Sequence, residues 1–255
     1  MDNESSIKIV FLHHSIGKRI WKGRTNSILY KITRKGQTKG HLRKLCREYR
    51  IKVLVDESVF PNRTPYGWHN YPFDYYNIWV KHAGNIPFMH EPTLEILTAR
   101  YDLVIWKHCF PVSLIMLDNK NADLNSENKT LENYKLQYTA LKIKMHTFPG
   151  TKFLLWTSPV VLEHQTNREQ ALRVLSFHDW LVNTWDEKND NIYLWDFYAL
   201  ETDGGLTLKT EYAENVGDSH PNQKFSKLAA EYFANRIFWV ITNQADTKNL
   251  TGIIK

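Results

Sequence analysis

Two short blocks near opposite ends of the 255-residue chain hold the residue types that nucleophilic catalysis requires. Phe11-Leu12-His13-His14-Ser15-Ile16-Gly17 puts a serine hydroxyl directly after an apolar run, and Asp218-Ser219-His220-Pro221-Asn222 offers an imidazole near a carboxylate. A serine hydroxyl is a weak nucleophile at its own pKa. It becomes a useful one when a histidine within hydrogen-bond reach takes its proton and a carboxylate orients that histidine. Ser15, His220 and Asp218 are the candidates for these three roles. Backbone N–H groups of Ser15 and its neighbours, with Gly17 allowing a tight turn, would face a developing oxyanion. Each such donor contributes about 3 kcal/mol in the transition state.

Ser15 and His220 can meet only if the fold opens both loops on one edge. Ile7–Leu12, Ile51–Val55, Tyr101–Trp106, Lys152–Trp156 and Asn191–Trp195 are short runs, apolar along their length rather than alternating, as strands buried on both faces read. Between them lie helical patterns at Leu42–Tyr49, Leu131–Met145 and Ala171–Trp185, and a last helix is expected over about Asn222–Val240. Alternating strands and helices imply right-handed crossovers and a three-layer α/β/α sandwich around a mostly parallel five-stranded sheet. Ligands bind such sheets beyond the carboxyl ends of the strands, which singles out Ser15, Asp56, Lys107, Thr157 and Asp196. One domain over residues 1–255 is expected, with long insertions at about 56–92 and 111–130. The first insertion is crowded with aromatics (Tyr66, Trp68, Tyr71, Phe73, Tyr75, Tyr76, Trp79), which either line a binding site or anchor the loop.

The two blocks, their positions and the five-strand alternation between them resemble the SGNH (GDSL-like) hydrolases, over roughly Lys8–Ile241. The resemblance implies a flavodoxin-like sandwich, a nucleophilic serine after the first strand and a base histidine before the last helix. The chain departs from the family pattern at several positions. Three residues before His220 stands Gly217, and Asp218 is only two before it; Asp218 is then free to cap the final helix, with Asp196 as another orienter. His14 occupies the place of the family's Asp before the serine, and Trp106-Lys107-His108-Cys109-Phe110-Pro111 replaces its Gly-x-Asn-Asp. Lys107 is the substitute oxyanion donor by this reading, with His108 as the alternative; strand alternation sends the two to opposite faces. Gly67 or Gly84 would stand for the family's glycine donor, Gly67 being nearer the second strand. His14, His108 and Trp68 are candidates for substrate contact. The expected activity is a serine esterase or deacylase removing small acyl groups, acetyl by resemblance, from a carbohydrate. Acyl transfer to a sugar hydroxyl and an inactive carbohydrate- or polyanion-binding protein are the alternatives.

Composition sets outer bounds: 42% hydrophobic and 24% charged residues suit a globular core. No run of about 18 apolar residues and no basic-then-apolar leader is readable, so a cytoplasmic protein with no membrane partner is expected unless a leader has been removed. Cys46 and Cys109 are too few for a disulfide framework and read as free thiols. No cofactor is expected, since phosphate-cradling glycine motifs are missing, and no metal, since His13, His14, His108, Cys109 and His220 lack ligand spacing. His178 falls on the apolar stripe of its helix and reads as a satisfied core histidine. Of the 33 Lys and Arg residues, 13 lie between Lys18 and Lys52 against a single acid, Glu48. Such a run attracts polyanions, so the substrate is expected to be acidic, while nucleic acid is not expected for want of a recognition helix or stacking sheet.

Overall fold

The computed structural model describes residues 6–33, 36–67, 69–118 and 121–254. Five parallel strands form the central sheet: β1 (Ile7–His13), β2 (Val53–Val59), β3 (Leu103–Trp106), β4 (Lys152–Trp156) and β5 (Ile192–Trp195), in the order β2-β1-β3-β4-β5. This is the doubly wound, flavodoxin-like order, and its topological switch point lies between β1 and β3. The helices between the strands are α1 (Ser15–Lys22), α2 (Ser27–Thr33), α3 (Gln37–Glu48), α4 (Pro72–Tyr76), α5 (Leu94–Thr98), α6 (Leu131–His146) and α7 (Arg168–Trp180). After β5 come α8 (Phe197–Thr202), a two-stranded antiparallel hairpin of β6 (Ala213–Asn215) and β7 (Asp218–Pro221), and the long α9 (Gln223–Ile241).

Side-chain alternation along the strands builds two cores, as the uninterrupted apolar runs predict. Ile9, Phe11, Leu103, Ile105, Leu154, Trp156, Tyr193 and Trp195 face a layer made by α1, α3 and α9. Val10, Leu12, Val104, Trp106, Phe153, Leu155, Ile192 and Leu194 face the layer of α4 to α7. Phe11 sits at the centre of the first core, its ring 5.2–5.4 Å from Trp21, Trp156 and Phe233. The same alternation continues one residue past β3 and sends Lys107 and His108 to opposite faces.

Three local differences from the periodicity have identifiable causes. β2 runs four residues past Val55 because Asp56 to Val59 keep pairing with Val10 to His13, so Asp56 is inside the strand, accepting from Tyr101 Oη, rather than at its end. The aromatics of the first insertion anchor it instead of presenting a binding face: Tyr71, Phe73, Tyr75, Tyr76 and Trp79 are buried. The buried Asp74 carboxylate gathers the turn before them, accepting from the amides of His69 and Asn70 and from Tyr66 Oη. Finally, α9 is capped by Asn222, whose Oδ1 accepts from Phe225 N at 2.9 Å, which leaves Asp218 free for another role.

Candidate active site

Ser15 is the first residue of α1, directly beyond β1 at the switch point of the sheet. His14, extended at the N-cap, turns the chain, and its Nε2–H donates to Pro61 O at 2.8 Å, tying the serine loop to the loop after β2. Burial, then the nearby Lys107 charge, depress the His14 pKa to about 4, so its imidazole is neutral at pH 7. The first intrahelical hydrogen bond runs from Lys18 N to His14 O, so the amides of Ser15, Ile16 and Gly17 precede the α-helical ladder. They point from the positive end of the helix dipole, where a developing anion is favoured.

Gly17 has a different reason for being glycine than a tight turn. A Cβ there would sit 2.6 Å from His13 Cβ and 2.9 Å from Lys107 Cδ, so its absence lets α1 lie directly on the ends of β1 and β3. That close approach fixes the height of Ser15 above the sheet.

The hairpin β6–β7 brings in the other partners. His220 Nε2 lies 2.8 Å from Ser15 Oγ, across 205 residues of sequence, and His220 Nδ1 lies 2.6 Å from Asp218 Oδ1. Spacing of two is what a strand requires: Asp218 and His220 project from the same face of β7, and Ser219 between them projects from the other. Asp218 Oδ1 also accepts the backbone N–H of His220 at 2.9 Å. Burial pushes the Asp218 carboxyl up, but the His220 hydrogen bonds and the charges of His220 and Arg19 outweigh it and hold its pKa below the usual value. Asp196, the other candidate orienter, is occupied elsewhere. It caps α8 through Ala199 N, accepts from Thr157 Oγ1 and meets His178 Nε2 at 2.9 Å. His178 is therefore a satisfied histidine, its pKa raised by that carboxylate and Asp179 against the opposing pull of burial.

Two clamps hold β7 in place. On one side Ser219 Oγ accepts from Leu162 N and donates to Gln165 Oε1, joining the hairpin to the loop after β4. On the other, Arg19 reaches from α1 to Glu214 (Nη1 to Oε2, 2.7 Å), to Asp218 (Nη2 to Oδ2, 3.4 Å) and to Pro221 O. Arg19 thus ties the helix that holds the serine to the strand that holds the histidine. Within the basic run it looks like one charge among many; the signal that would have found it is its spacing, four residues after Ser15 on one helical face. Phe110, in the turn after β3, packs its ring edge-on to His220 at 5.1 Å.

The remaining candidates lie apart from this contact. Lys107 is fully buried, its stem beneath Gly17 and its Nζ donating to Cys109 Sγ at 3.2 Å over the Trp156 ring. Its Nζ is engaged there rather than by Ser15, which sets it apart from the expected place of a direct oxyanion donor. His108 is fully buried in the opposite core against Tyr75, Trp106 and Tyr138, which removes it from substrate contact. Gly67 adopts φ 81° in the loop after β2, and among the described residues no hydrogen bond joins it to Ser15 or His220. Trp68 lies outside the described residues. Among the described residues no group of three or more His, Cys, Asp or Glu side chains is placed to hold a metal ion.

An exposed hydroxyl is thus hydrogen-bonded to an imidazole that a carboxylate orients, at the amino end of a helix. That arrangement is able to take a proton from Ser15 as its oxygen attacks an electrophile and to return it to a leaving group. The chain matches no protein-family model and no curated protein.

Proposed function

We propose that the protein is a serine-dependent esterase or deacylase of the SGNH-like class, acting on small acyl groups, acetyl first, borne by a carbohydrate. The observation that supports the chemistry is the Ser15–His220–Asp218 chain of hydrogen bonds, 2.8 and 2.6 Å long. Ser15 Oγ attacks the ester carbonyl carbon while its proton passes to His220 Nε2, and the Asp218 carboxylate stabilises the imidazolium. The oxyanion is held by first-turn amides of α1, with Ser15 and Gly17 as the donors; the Lys107 charge beneath favours the same anion. His220 then protonates the leaving alcohol, and a water, deprotonated by His220, cleaves the acyl–Ser15 ester. The acyl and carbohydrate assignments rest on the family resemblance, and the exposure of Ser15 suits a bulky carrier. The basic run from Lys18 to Lys52 suits an acidic one.

The test is intact mass after treatment with a small fluorophosphonate. Ser15 Oγ displaces fluoride from phosphorus, so the expected result is a single phosphonyl adduct on wild type and none on Ser15→Ala. Folded wild type that takes no adduct would overturn the hydrolase reading.

A further inference from the structure

Beside the mouth of this site, α2 presents an apolar face to solvent. Tyr30 anchors the helix: it is buried and donates its hydroxyl to Glu57 Oε2, the same oxygen that lies 3.3 Å from His13 Nε2. Glu57 stands opposite Phe11 in the β1–β2 register, so α2 is fastened near the carboxyl edge of the sheet, close to where Ser15 emerges. With Tyr30 turned inward, Ile28 and Ile32, one helical turn apart, are 69% and 77% exposed, and Leu29 beside them is 54% exposed. A single exposed aliphatic residue is ordinary, but three together on a seven-residue helix form a patch.

Basic side chains flank this patch in sequence. Lys18 and Arg24 are exposed on the segment that leads into α2, and the exposed Lys44 of α3 lines the same hollow as Arg24. The stretch from Lys18 to Lys52 holds 13 basic residues and one acid, leaving the rest of the chain with 20 basic and 26 acidic residues. The basic residues of the chain are therefore concentrated in the stretch that contains α2. Exposed aliphatic side chains flanked by basic ones are the pattern of a helix that lies in a lipid headgroup layer. A nucleic-acid backbone would use the charges but offers nothing to Ile28, Leu29 and Ile32. A second copy docking α2 against α2 would bring two positive surfaces together.

We propose that α2 seats the protein peripherally on an anionic lipid surface. Ile28, Leu29 and Ile32 enter the boundary between headgroups and acyl chains, and the exposed Lys18, Arg24 and Lys44 meet the lipid anions. No helix among the described residues is long and apolar enough to cross a membrane, but lying on one requires only this amphipathic face. Such binding would overturn the expectation of no membrane partner. This inference is independent of the proposed chemistry.

The experiment is co-sedimentation of the full chain with phosphatidylcholine vesicles, with and without phosphatidylserine, at low and high salt. Expected is binding only to the phosphatidylserine vesicles, weakened by salt, and reduced about tenfold or more in the Ile28→Ser/Ile32→Ser double variant. Because both side chains are exposed, the variant should keep the wild-type melting temperature and fluorophosphonate labelling. Failure of wild type to bind phosphatidylserine vesicles would overturn the proposal. So would equal binding by the double variant, which would leave a polyanion surface without insertion, or wild-type self-association that the double variant abolishes, which would make the patch an interface between copies.

Discussion

Replacing Asp218 by Asn removes a charge while leaving the shape of the site almost unchanged. The amide oxygen can still accept from the N–H and Nδ1–H of His220, the two groups that now meet Asp218 Oδ1 at 2.9 and 2.6 Å. What is lost is the attraction between the carboxylate and the imidazolium formed when Ser15 gives up its proton. For charge centres about 4 Å apart and an effective dielectric constant of about 20, that attraction is about 4 kcal/mol, or roughly a thousandfold in rate at about 1.4 kcal/mol per decade. An amide turned the other way would present N–H to Nδ1 and select the wrong imidazole tautomer, raising the loss toward about ten-thousandfold. The Asp218 and His220 side chains are 34% and 25% exposed, so solvent screening lowers the estimate, giving an expected fall in kcat of between about a hundredfold and ten-thousandfold. Stability should barely change: the partly exposed pairing with Arg19 is worth less than about 1 kcal/mol, or about 2–4 °C in Tm for a chain of this size. The assay is hydrolysis of p-nitrophenyl acetate, with a thermal melt on the same preparations. If Asp218→Asn retained wild-type kcat within about threefold while Ser15→Ala abolished turnover, Asp218 would not be the group that orients His220.

Three further outcomes follow from the same geometry. Gly17→Ala forces a methyl into the 2.6 Å gap to His13 Cβ, so it should cost about 1–3 kcal/mol in a denaturant melt and slow ester hydrolysis by more than the melt implies, because α1 must lift Ser15; a wild-type melt and rate would refute the close-approach argument. Arg19→Met should leave Tm within a few degrees but lower kcat about tenfold with little change in KM, since the clamp acts on the relative position of α1 and β7; a change confined to Tm would make Arg19 merely structural. His14 is held neutral with a pKa near 4 against an ordinary 6.5, so as pH falls below 6.5 the unfolded chain binds a proton that the folded one refuses. Stability present at neutral pH is then lost toward pH 4, by up to about 3 kcal/mol. The buried His108, also shifted down, adds in the same direction, so the measurement is the difference in pH slope between wild type and His14→Gln. Equal slopes would show that His14 is not responsible.

How far the sequence reached can be read from particular residues. Short apolar runs fix the five strands, because a strand buried on both faces leaves no polar positions to interrupt it, and the run at Lys152–Trp156 coincides with β4 residue for residue. Alternation also sends Lys107 and His108 to opposite faces. The last helix was legible from its apolar stripe to within a residue at each end, but its cap is Asn222 and not Asp218. The short α1 and the β6–β7 hairpin were not legible: eight residues give too few periods to separate helix from turn, and strands of three and four residues give almost none.

The two blocks that meet were legible in the sequence, because Ser15 stands just past the end of a strand and His220 just before the start of a helix, the places from which an α/β sheet presents side chains at one edge. Only the tertiary structure decided between Asp218 and Asp196, since that choice depends on which carboxylate the chain brings to Nδ1. β7 carries Asp218 there, and the α8 cap and His178 take Asp196. It decided against Lys107 as a direct donor, because Cys109 and Trp156 lie where its ammonium ends. It also separated Arg19 from the other basic residues around it, since a clamp between the first helix and a hairpin two hundred residues later exists only once both are folded.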